Sequence, residues 1–492
     1  MQKKFLTNLI LLLGLNLLIK PFWIFGIDRT VQNVVGSENY GFYFAVLNFS
    51  FLFNVILDLG ISSFNGRNIA QHNQLLKKYF SGILVMKMML ALAYGLFILL
   101  LGYIIGYDES QLYLLRWVAF NQILLSFIIY LRSNISGLLM LKTDSFISIL
   151  DRFFMIAICS YLLWGRVSGS LFQIEWFVYA QTTAYLLTAL IALAVVIGKS
   201  GFVKLRWDGA FLKLLIKQSY PFALLALLMS IYGRVDAVFI ERLLGGDLGE
   251  LQSGIFAKAF RICDAGNNFA LLFAVLLLPI FSKMIKQNEN VASLVKLSFS
   301  IIFVGSASVA IGSYFFDIEI MELLYTKHAS ETELLFQQRL IQAADVYRIL
   351  IFSFVAVSAN YIFSTLLTAN GNLKQLNIIA FIAVVLSVIL NFVLVPDYYA
   401  LGSAIANLVA QGFTMVLVIF FSIKFFSFKL NYRFLLSLFC FVIGIVLFNM
   451  LVKEIQVDWL YQYAIMMTCS LILAFVLRLF SLRSLMGFFR NA

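Results

Sequence analysis

Repeated apolar stretches of membrane-spanning length constrain the fold of this 492-residue chain more than any other feature of its sequence. A transmembrane helix needs about 20 mainly apolar residues. Fourteen stretches meet that requirement, near residues 5–28, 40–64, 80–106, 113–141, 145–164, 172–197, 219–243, 254–281, 293–316, 346–369, 376–396, 400–423, 434–452 and 460–480. We therefore predict an all-α integral membrane protein with about fourteen transmembrane helices.

The composition supports this class and excludes others. Hydrophobic residues make up 62% of the chain and charged residues 12%, whereas a soluble domain is about half apolar and a quarter charged. A soluble globular protein, a disordered chain and a disulfide scaffold are therefore excluded. His72 and His328 are isolated, and the four cysteines lie in apolar stretches without a CxxC pair: Cys159, Cys263, Cys440 and Cys469. We predict no disulfide, metal site or cofactor.

The net charge of +12 is distributed by membrane side. If the N-terminus is cytoplasmic, the inside connections carry nineteen Lys and Arg residues and the outside connections five. The positive-inside rule then predicts an even number of spans with both termini in the cytoplasm. Because the basic residues are spread over one membrane face and form no basic tail, a nucleic-acid partner is not expected.

A weak internal repeat suggests how the spans are grouped. Asp28 precedes Gly36, and Asp236 precedes Gly245, each near the end of a span and each followed by a polar turn. We predict two six-span lobes at 1–198 and 219–425, with spans thirteen and fourteen and a cytoplasmic tail at 426–492. The linker at 199–218 is basic and amphipathic and is expected on the cytoplasmic membrane surface. The longest outside loop, 317–345, is predicted to contain a short helix over Glu331–Asp345.

Five motifs stand out along the chain: VGSENYGFY at 35–43, LDLGI at 57–61, RNIA at 67–70, LPIFS at 278–282 and NFVLVP at 391–396. In this order and spacing they resemble the polysaccharide flippase family of the multidrug/oligosaccharidyl-lipid/polysaccharide exporter superfamily, which also contains the multidrug extruders and the lipid II flippase. The resemblance implies two six-helix bundles around a central cleft that work by alternating access. It also implies a lipid-linked oligosaccharide substrate, a bacterial inner-membrane location, and polymerase or glycosyltransferase partners beside the membrane lipids.

Charged residues inside the spans are the candidate site, because each costs about 2.5–3.5 kcal/mol at the bilayer centre. Guanidinium groups bind phosphate oxygens in pairs, and lysine adds a point charge. Lys258, Arg261 and Asp264 are three residues apart and share one helix face. We predict a cationic, diphosphate-binding cleft with these candidate residues: Lys20, Arg29, Arg234, Lys258 and Arg261. The alternative is that the charges only form internal ion pairs, such as Arg234–Asp236, Arg261–Asp264 and Asp151–Arg152.

Transport against a gradient also needs an ion-coupling group. Asp58, Asp236 and Asp264 are candidates for proton or sodium coupling, because they are carboxylates placed among other charges in apolar spans. Asp58 has a simpler alternative, which is to cap or pair at the inner end of span two. The remaining cations in spans three and four are expected near span ends or interfaces: Lys87, Arg116 and Arg132.

The leading functional prediction is a transporter, not an enzyme, that flips a polyprenyl-diphosphate-linked oligosaccharide from the inner to the outer leaflet. An ion-coupled extruder of drugs or organic cations is the alternative, although cation export favours a cavity with negative charge. A glycan polymerase or acyltransferase would need a large outer loop or a His/Asp catalytic site, and the sequence shows neither.

Overall fold

The computed structural model describes residues 14, 18–19, 21–62, 65–66, 69, 74–138, 140–165, 172–201, 209–328, 331–428 and 431–479. These residues are almost entirely helical and contain no strand, which confirms the all-α prediction. They form two compact units, residues 1–254 and 255–492, hereafter unit 1 and unit 2. The predicted lobe and linker boundaries remain a prediction.

In unit 1, a π-helical segment, Phe22–Asp28, runs directly into α1. A short 3₁₀ turn, Asn54–Leu57, follows α1. The main helices of this unit are α1 (Arg29–Leu52), α2 (Leu75–Ile105), α3 (Glu109–Gly137), α4 (Leu141–Trp164), α5 (Ile174–Ser200) and α6 (Gly209–Leu244). The second half of the predicted linker, from residue 209, is therefore the start of α6.

The helix α7 (Gly246–Lys286) begins in unit 1 and continues into unit 2. The other helices of unit 2 are α8 (Ala292–Phe315), α9 (Asp317–Leu324), α10 (Glu333–Ala369), α11 (Leu373–Phe426), α12 (Tyr432–Lys453) and α13 (Trp459–Val476). The predicted outer helix over Glu331–Asp345 is the first part of α10, which continues without interruption to Ala369.

Ten helices within the described residues are long and apolar enough to cross a membrane. The predicted spans at 376–396 and 400–423 are joined in α11, whose 54 residues are interrupted only at Tyr399 (φ 53°, ψ −134°). The predicted spans at 40–64 and 254–281 overlap α1 and α7, which are not among the ten. Most of the first predicted span lies outside the described residues.

Two glycines allow α1 and α7 to touch by their backbones within unit 1. A Cβ on Gly41 would lie 1.9 Å from the carbonyl oxygen of Glu250, and a Cβ on Gly254 would lie 1.9 Å from that of Ser37. Just before this contact, Gly36 breaks α1 with a φ of 82° and a ψ of 167°, a conformation that glycine adopts at no steric cost. The predicted polar turn between spans one and two is therefore a one-residue break in a helix.

Candidate substrate and ion sites

Arg234 is held between α6 and α1. Its guanidinium lies over the ring of Phe51, 4.7 Å from the centroid, and its Nη1 donates to Oδ1 of Asn48 at 3.4 Å. Ser230, one turn earlier on α6, donates to the carbonyl oxygen of Phe51 at 3.0 Å. An arginine placed on an aromatic face keeps its charge while losing part of its water shell. Arg234 is thus half-buried, oriented and suited to bind an anion.

Asp236, two residues further along α6, is 1% exposed. Residues two apart on a helix do not face each other. The structure therefore places the candidate cation Arg234 at the α1 contact and the candidate coupling carboxylate Asp236 in the protein interior. Its role in ion coupling remains a prediction.

Arg29 follows the π-helical segment and has a buried Nε without a hydrogen-bond partner among the described residues. The preceding Asp28 is buried and accepts hydrogen bonds from Tyr40 Oη at 2.9 Å and Gln32 Nε2 at 3.3 Å. Single π-helical turns are frequent at functional sites. Asp28 was not among the predicted site residues, although its position in the repeat pattern pointed to it. Lys20, the other candidate from this part of the chain, lies outside the described residues.

Lys258 is the most deeply buried of the predicted substrate-binding cations that the structure describes, with 6% of its surface exposed. Its Nζ lies 5.2 Å from the centroid of the Tyr325 ring, and Tyr325 Oη donates to the Lys258 carbonyl oxygen at 2.9 Å. Within the described part of the chain, the Nζ makes no hydrogen bond or ion pair. The charged groups that act on it are Glu331 and Arg339, which are already paired with each other at 2.5 Å. The positive charge of Lys258 is therefore not locally neutralised.

Arg261 and Asp264 follow Lys258 on the same face of α7, as predicted, and both are half-buried. Asn268, one turn further on, donates from its Nδ2 to the Asp264 carbonyl oxygen at 2.8 Å. Both charged side chains have partners within the protein. The stripe thus begins with a deeply buried cation and continues with two more accessible charged groups.

Asp58 forms an ion pair with a lysine of α2. Lys87, on α2, is only 1% exposed and forms an ion pair with Asp58. Lys87 Nζ also donates to the carbonyl oxygen of Leu57 at 2.9 Å and to Ser126 Oγ at 2.8 Å. Lys87 is therefore packed against the turn after α1 and against α3, and its expected place near a span end or interface stays a prediction. Of the other two cations in that expectation, Arg132 is half-buried and pairs with Asp144, and Arg116 is exposed.

A cavity of about 310 Å³ opens beside this ion pair, within unit 1. Its polar lining comes from the 3₁₀ turn and from α3, and its apolar wall includes Ala223 and Ala226 of α6. The Asp58 side chain, 29% exposed, is the titratable group in the lining. The polar lining residues are Asn54, Asp58, Gln122 and Ser126.

A second polar network lies where α6 ends. Arg242 donates to Glu241 at 2.6 Å and to Gln111 at 2.7 Å, and its guanidinium lies 4.2 Å from the centroid of the Tyr107 ring. Burial raises the pKa of the nearby Glu250 to about 7, and the neighbouring carboxylates Glu241, Asp247, Asp108 and Glu38 act in the same direction. Arg242 and Glu250 were not predicted as site residues.

The described residues contain no group of three His, Cys, Asp or Glu side chains that could hold a metal ion. All four cysteines are free thiols; Cys159 and Cys263 are buried, whereas Cys440 is exposed.

Comparisons with known proteins identify the fold. The chain superposes on a structure of the lipid II flippase MurJ in an inward closed conformation with a TM-score of 0.70 and 14% identity, covering 95% of this chain and 98% of that one. An inward-facing multidrug resistance MATE family transporter of the MOP superfamily gives a TM-score of 0.61 and 18% identity, over 86% of this chain and 94% of that one.

A MOP superfamily transporter from Pyrococcus furiosus gives a TM-score of 0.58 and 15% identity, over 86% of this chain and 94% of that one. Its structure is described as having a binding pocket of reverse polarity, which suggests a different function for that protein. At these identities the similarity establishes the fold alone. Among curated proteins, no sequence matches this chain.

The family model for polysaccharide biosynthesis proteins matches residues 6–285, which is more than half of the chain. This match covers most of the helices that carry the predicted cations. The fold is therefore the one seen in the lipid II flippase and MATE transporter structures. The chain belongs to the polysaccharide biosynthesis protein family.

Proposed function

We propose that this protein flips a polyprenyl-diphosphate-linked oligosaccharide from the inner to the outer leaflet of the bacterial inner membrane. It would work by alternating access, with the head group bound in a cationic cleft and the lipid tail remaining in the bilayer. The observation that carries the proposal is Lys258, a cation that is 6% exposed and has no ion pair within the described part of the chain.

A buried charge without a counter-ion is costly in free energy. Removing an ammonium group from water costs several kcal/mol unless an anion and hydrogen-bond acceptors replace the lost hydration. Within the described residues, the Lys258 Nζ makes no hydrogen bond or ion pair; it lies over the face of Tyr325, and the nearby Glu331 is already paired with Arg339. A diphosphate carries the missing negative charge and several acceptor oxygens, so its binding would satisfy Lys258 fully.

Other predicted cations add to this argument. Arg234 is oriented by an aromatic ring and an amide oxygen, and Arg29 presents a buried Nε without a described partner. Arg261 follows Lys258 on the same helix face. Guanidinium groups hold phosphate oxygens through paired hydrogen bonds, whereas lysine contributes a point charge. Together with Lys20, these are the residues that we propose to bind the head group.

Ion coupling belongs to the same proposal. Asp58, Asp236 and Asp264 are the carboxylates that would link transport to a proton or sodium gradient. Polymerases or glycosyltransferases of glycan synthesis would supply or consume the lipid-linked substrate.

The alternative function is extrusion of drugs or organic cations, and the likeness to MATE transporters favours it at the level of fold. A cationic substrate would meet the unneutralised charge of Lys258, so electrostatic repulsion argues against this alternative. A drug-resistance assay in an expressing strain measures it directly. Resistance that persists in a Lys258→Ala strain would support extrusion.

The direct test is translocation of a fluorescent lipid-linked oligosaccharide in proteoliposomes containing the full chain. We expect a combined Arg234→Ala, Lys258→Ala and Arg261→Ala variant to lose most translocation while it still purifies as a folded protein. Lys296→Ala is the matched control, because Lys296 is an exposed lysine that also lies over an aromatic ring, that of Phe434. Unchanged translocation in the triple variant would refute the cationic-site mechanism.

A further inference from the structure

The contacts of Lys87 in unit 1 differ from those of an ordinary ion pair. Its ammonium has three N–H donors, and all three are used, by the Asp58 carboxylate, the Leu57 carbonyl oxygen and Ser126 Oγ. A carboxylate, a backbone carbonyl and a hydroxyl are hard oxygen ligands of the kind that bind alkali and alkaline-earth cations. The ammonium is therefore held by oxygen atoms of the kinds that also coordinate metal cations.

The backbone is shaped to build this site. The α-helical hydrogen bonds of α1 end at Leu52 and a 3₁₀ turn follows, so the carbonyl oxygen of Leu57 accepts from Lys87 and from Ser126 Oγ at 3.0 Å. The two residues after Asp58 have positive φ angles, 47° for Leu59 and 78° for Gly60. A left-handed non-glycine residue is strained, so the surrounding contacts must hold it in place.

The cavity beside the pair gives the site a route to small ions. Its volume of about 310 Å³ far exceeds the roughly 30 Å³ that one water molecule fills in the liquid. Asp58 is both a ligand of the ammonium and part of the cavity lining, whereas Lys87 lies behind it and is 1% exposed. The other polar lining groups are neutral, so Asp58 and Lys87 are the charged groups at this place among the described residues.

We propose that Lys87 is a built-in, tethered cation that fills a monovalent-cation site in unit 1, and that sodium or lithium occupies this site when the lysine side chain is removed. In the unaltered protein the site therefore takes no free sodium. If the proposed transport function holds, sodium coupling at Asp58 is excluded while the Lys87 ammonium fills the site.

The experiment measures the melting temperature of the purified full-length protein in sodium, lithium or choline chloride at equal ionic strength. We expect no difference between the salts for the wild type. For Lys87→Ala, prepared in sodium chloride throughout, we expect a melting temperature at least about 3 °C higher in sodium or lithium than in choline. Asp58→Asn/Lys87→Ala, which lacks the anionic ligand, should lose this dependence.

Lys78→Ala is the matched control, because Lys78 is an exposed lysine on the same helix. A Lys87→Ala protein that melts at the same temperature in every salt, or that fails to fold even in sodium chloride, would overturn the proposal. If sodium raises the melting temperature of the wild type as much as that of Lys87→Ala, the cation site lies elsewhere and the proposal is wrong. These measurements need no transported lipid, so their failure is separate from a failure of the flippase proposal.

Discussion

Two lysines, Lys87 in unit 1 and Lys258 in unit 2, are buried to a similar degree but have opposite surroundings. Lys87 donates all three of its N–H groups to oxygen acceptors, one of them a carboxylate. Lys258 faces an aromatic ring, beside a Glu331–Arg339 pair that is already neutral. Burial alone therefore does not identify a functional cation. The completeness of its ligand set separates a structural ammonium from one that can receive an anion.

The largest expected effect is on stability, at Lys87. Breaking a buried ion pair by removing one partner costs about 3–5 kcal/mol, because the other charge remains buried. Lys87→Met should therefore lower the melting temperature strongly in choline chloride. Scanning fluorimetry of the purified protein measures this shift, with Lys78→Ala as the control. A shift no larger than that of Lys78→Ala would show that the comparison of the two lysines is mistaken.

The next largest effect is on transport, at Lys258. A hydrogen bond to a charged group contributes about 1.5–3 kcal/mol, so Lys258→Met should reduce translocation of a lipid-linked diphosphate roughly 10- to 100-fold. Stability should stay the same or rise, because the variant removes an unneutralised buried charge. Paired translocation and melting measurements test both statements. A variant that melts at a much lower temperature but keeps its specific translocation activity would reverse the assignment of the two lysines.

A smaller effect is expected at Ser126. Ser126→Ala removes one neutral acceptor from the Lys87 ammonium while the ion pair with Asp58 remains. The expected loss of stability is about 1–3 kcal/mol, the cost of one unsatisfied charged hydrogen bond. Thr183→Ala is a suitable control, because the Thr183 hydroxyl bonds only its own helix at Tyr179 and is exposed. Equal melting temperatures for the two variants would mean that Ser126 is not a ligand of the site.

The smallest effect is a pH dependence of the melting temperature, which comes from Glu250. The pKa of Glu250 is raised to about 7 by burial first and by neighbouring carboxylates second. Because the folded-state value lies above that of the unfolded chain, the stability from this group is complete below about pH 4.5 and is lost as pH rises through 7. Glu250→Gln should flatten the melting-temperature profile between these values. A profile that is identical in the variant would exclude Glu250 as the titrating group.

The sequence could predict which residues are candidates for the site, but not which residues they contact. The i, i+3 spacing placed Lys258, Arg261 and Asp264 on one face of α7, and the structure keeps them there. Arg234 could be named from the sequence as a candidate cation inside a predicted span, yet its contact with Phe51 depends on the packing of α6 against α1. For Asp58, the alternative to ion coupling was to cap or pair locally; it accepts hydrogen bonds from Ser62 and also pairs with a lysine 29 residues away.

The sequence by itself determined the class of protein, the position of most helices and the family, because apolar length and ordered motifs are local properties of the chain. Only the tertiary structure decided which buried charges are satisfied. Lys87 meets ligands from the turn after α1 and from α3, and this meeting depends on a broken helix end and on helix packing. Periodicity gives the face of a helix but not its neighbour, so two similar lysines in the sequence became two different sites in the fold.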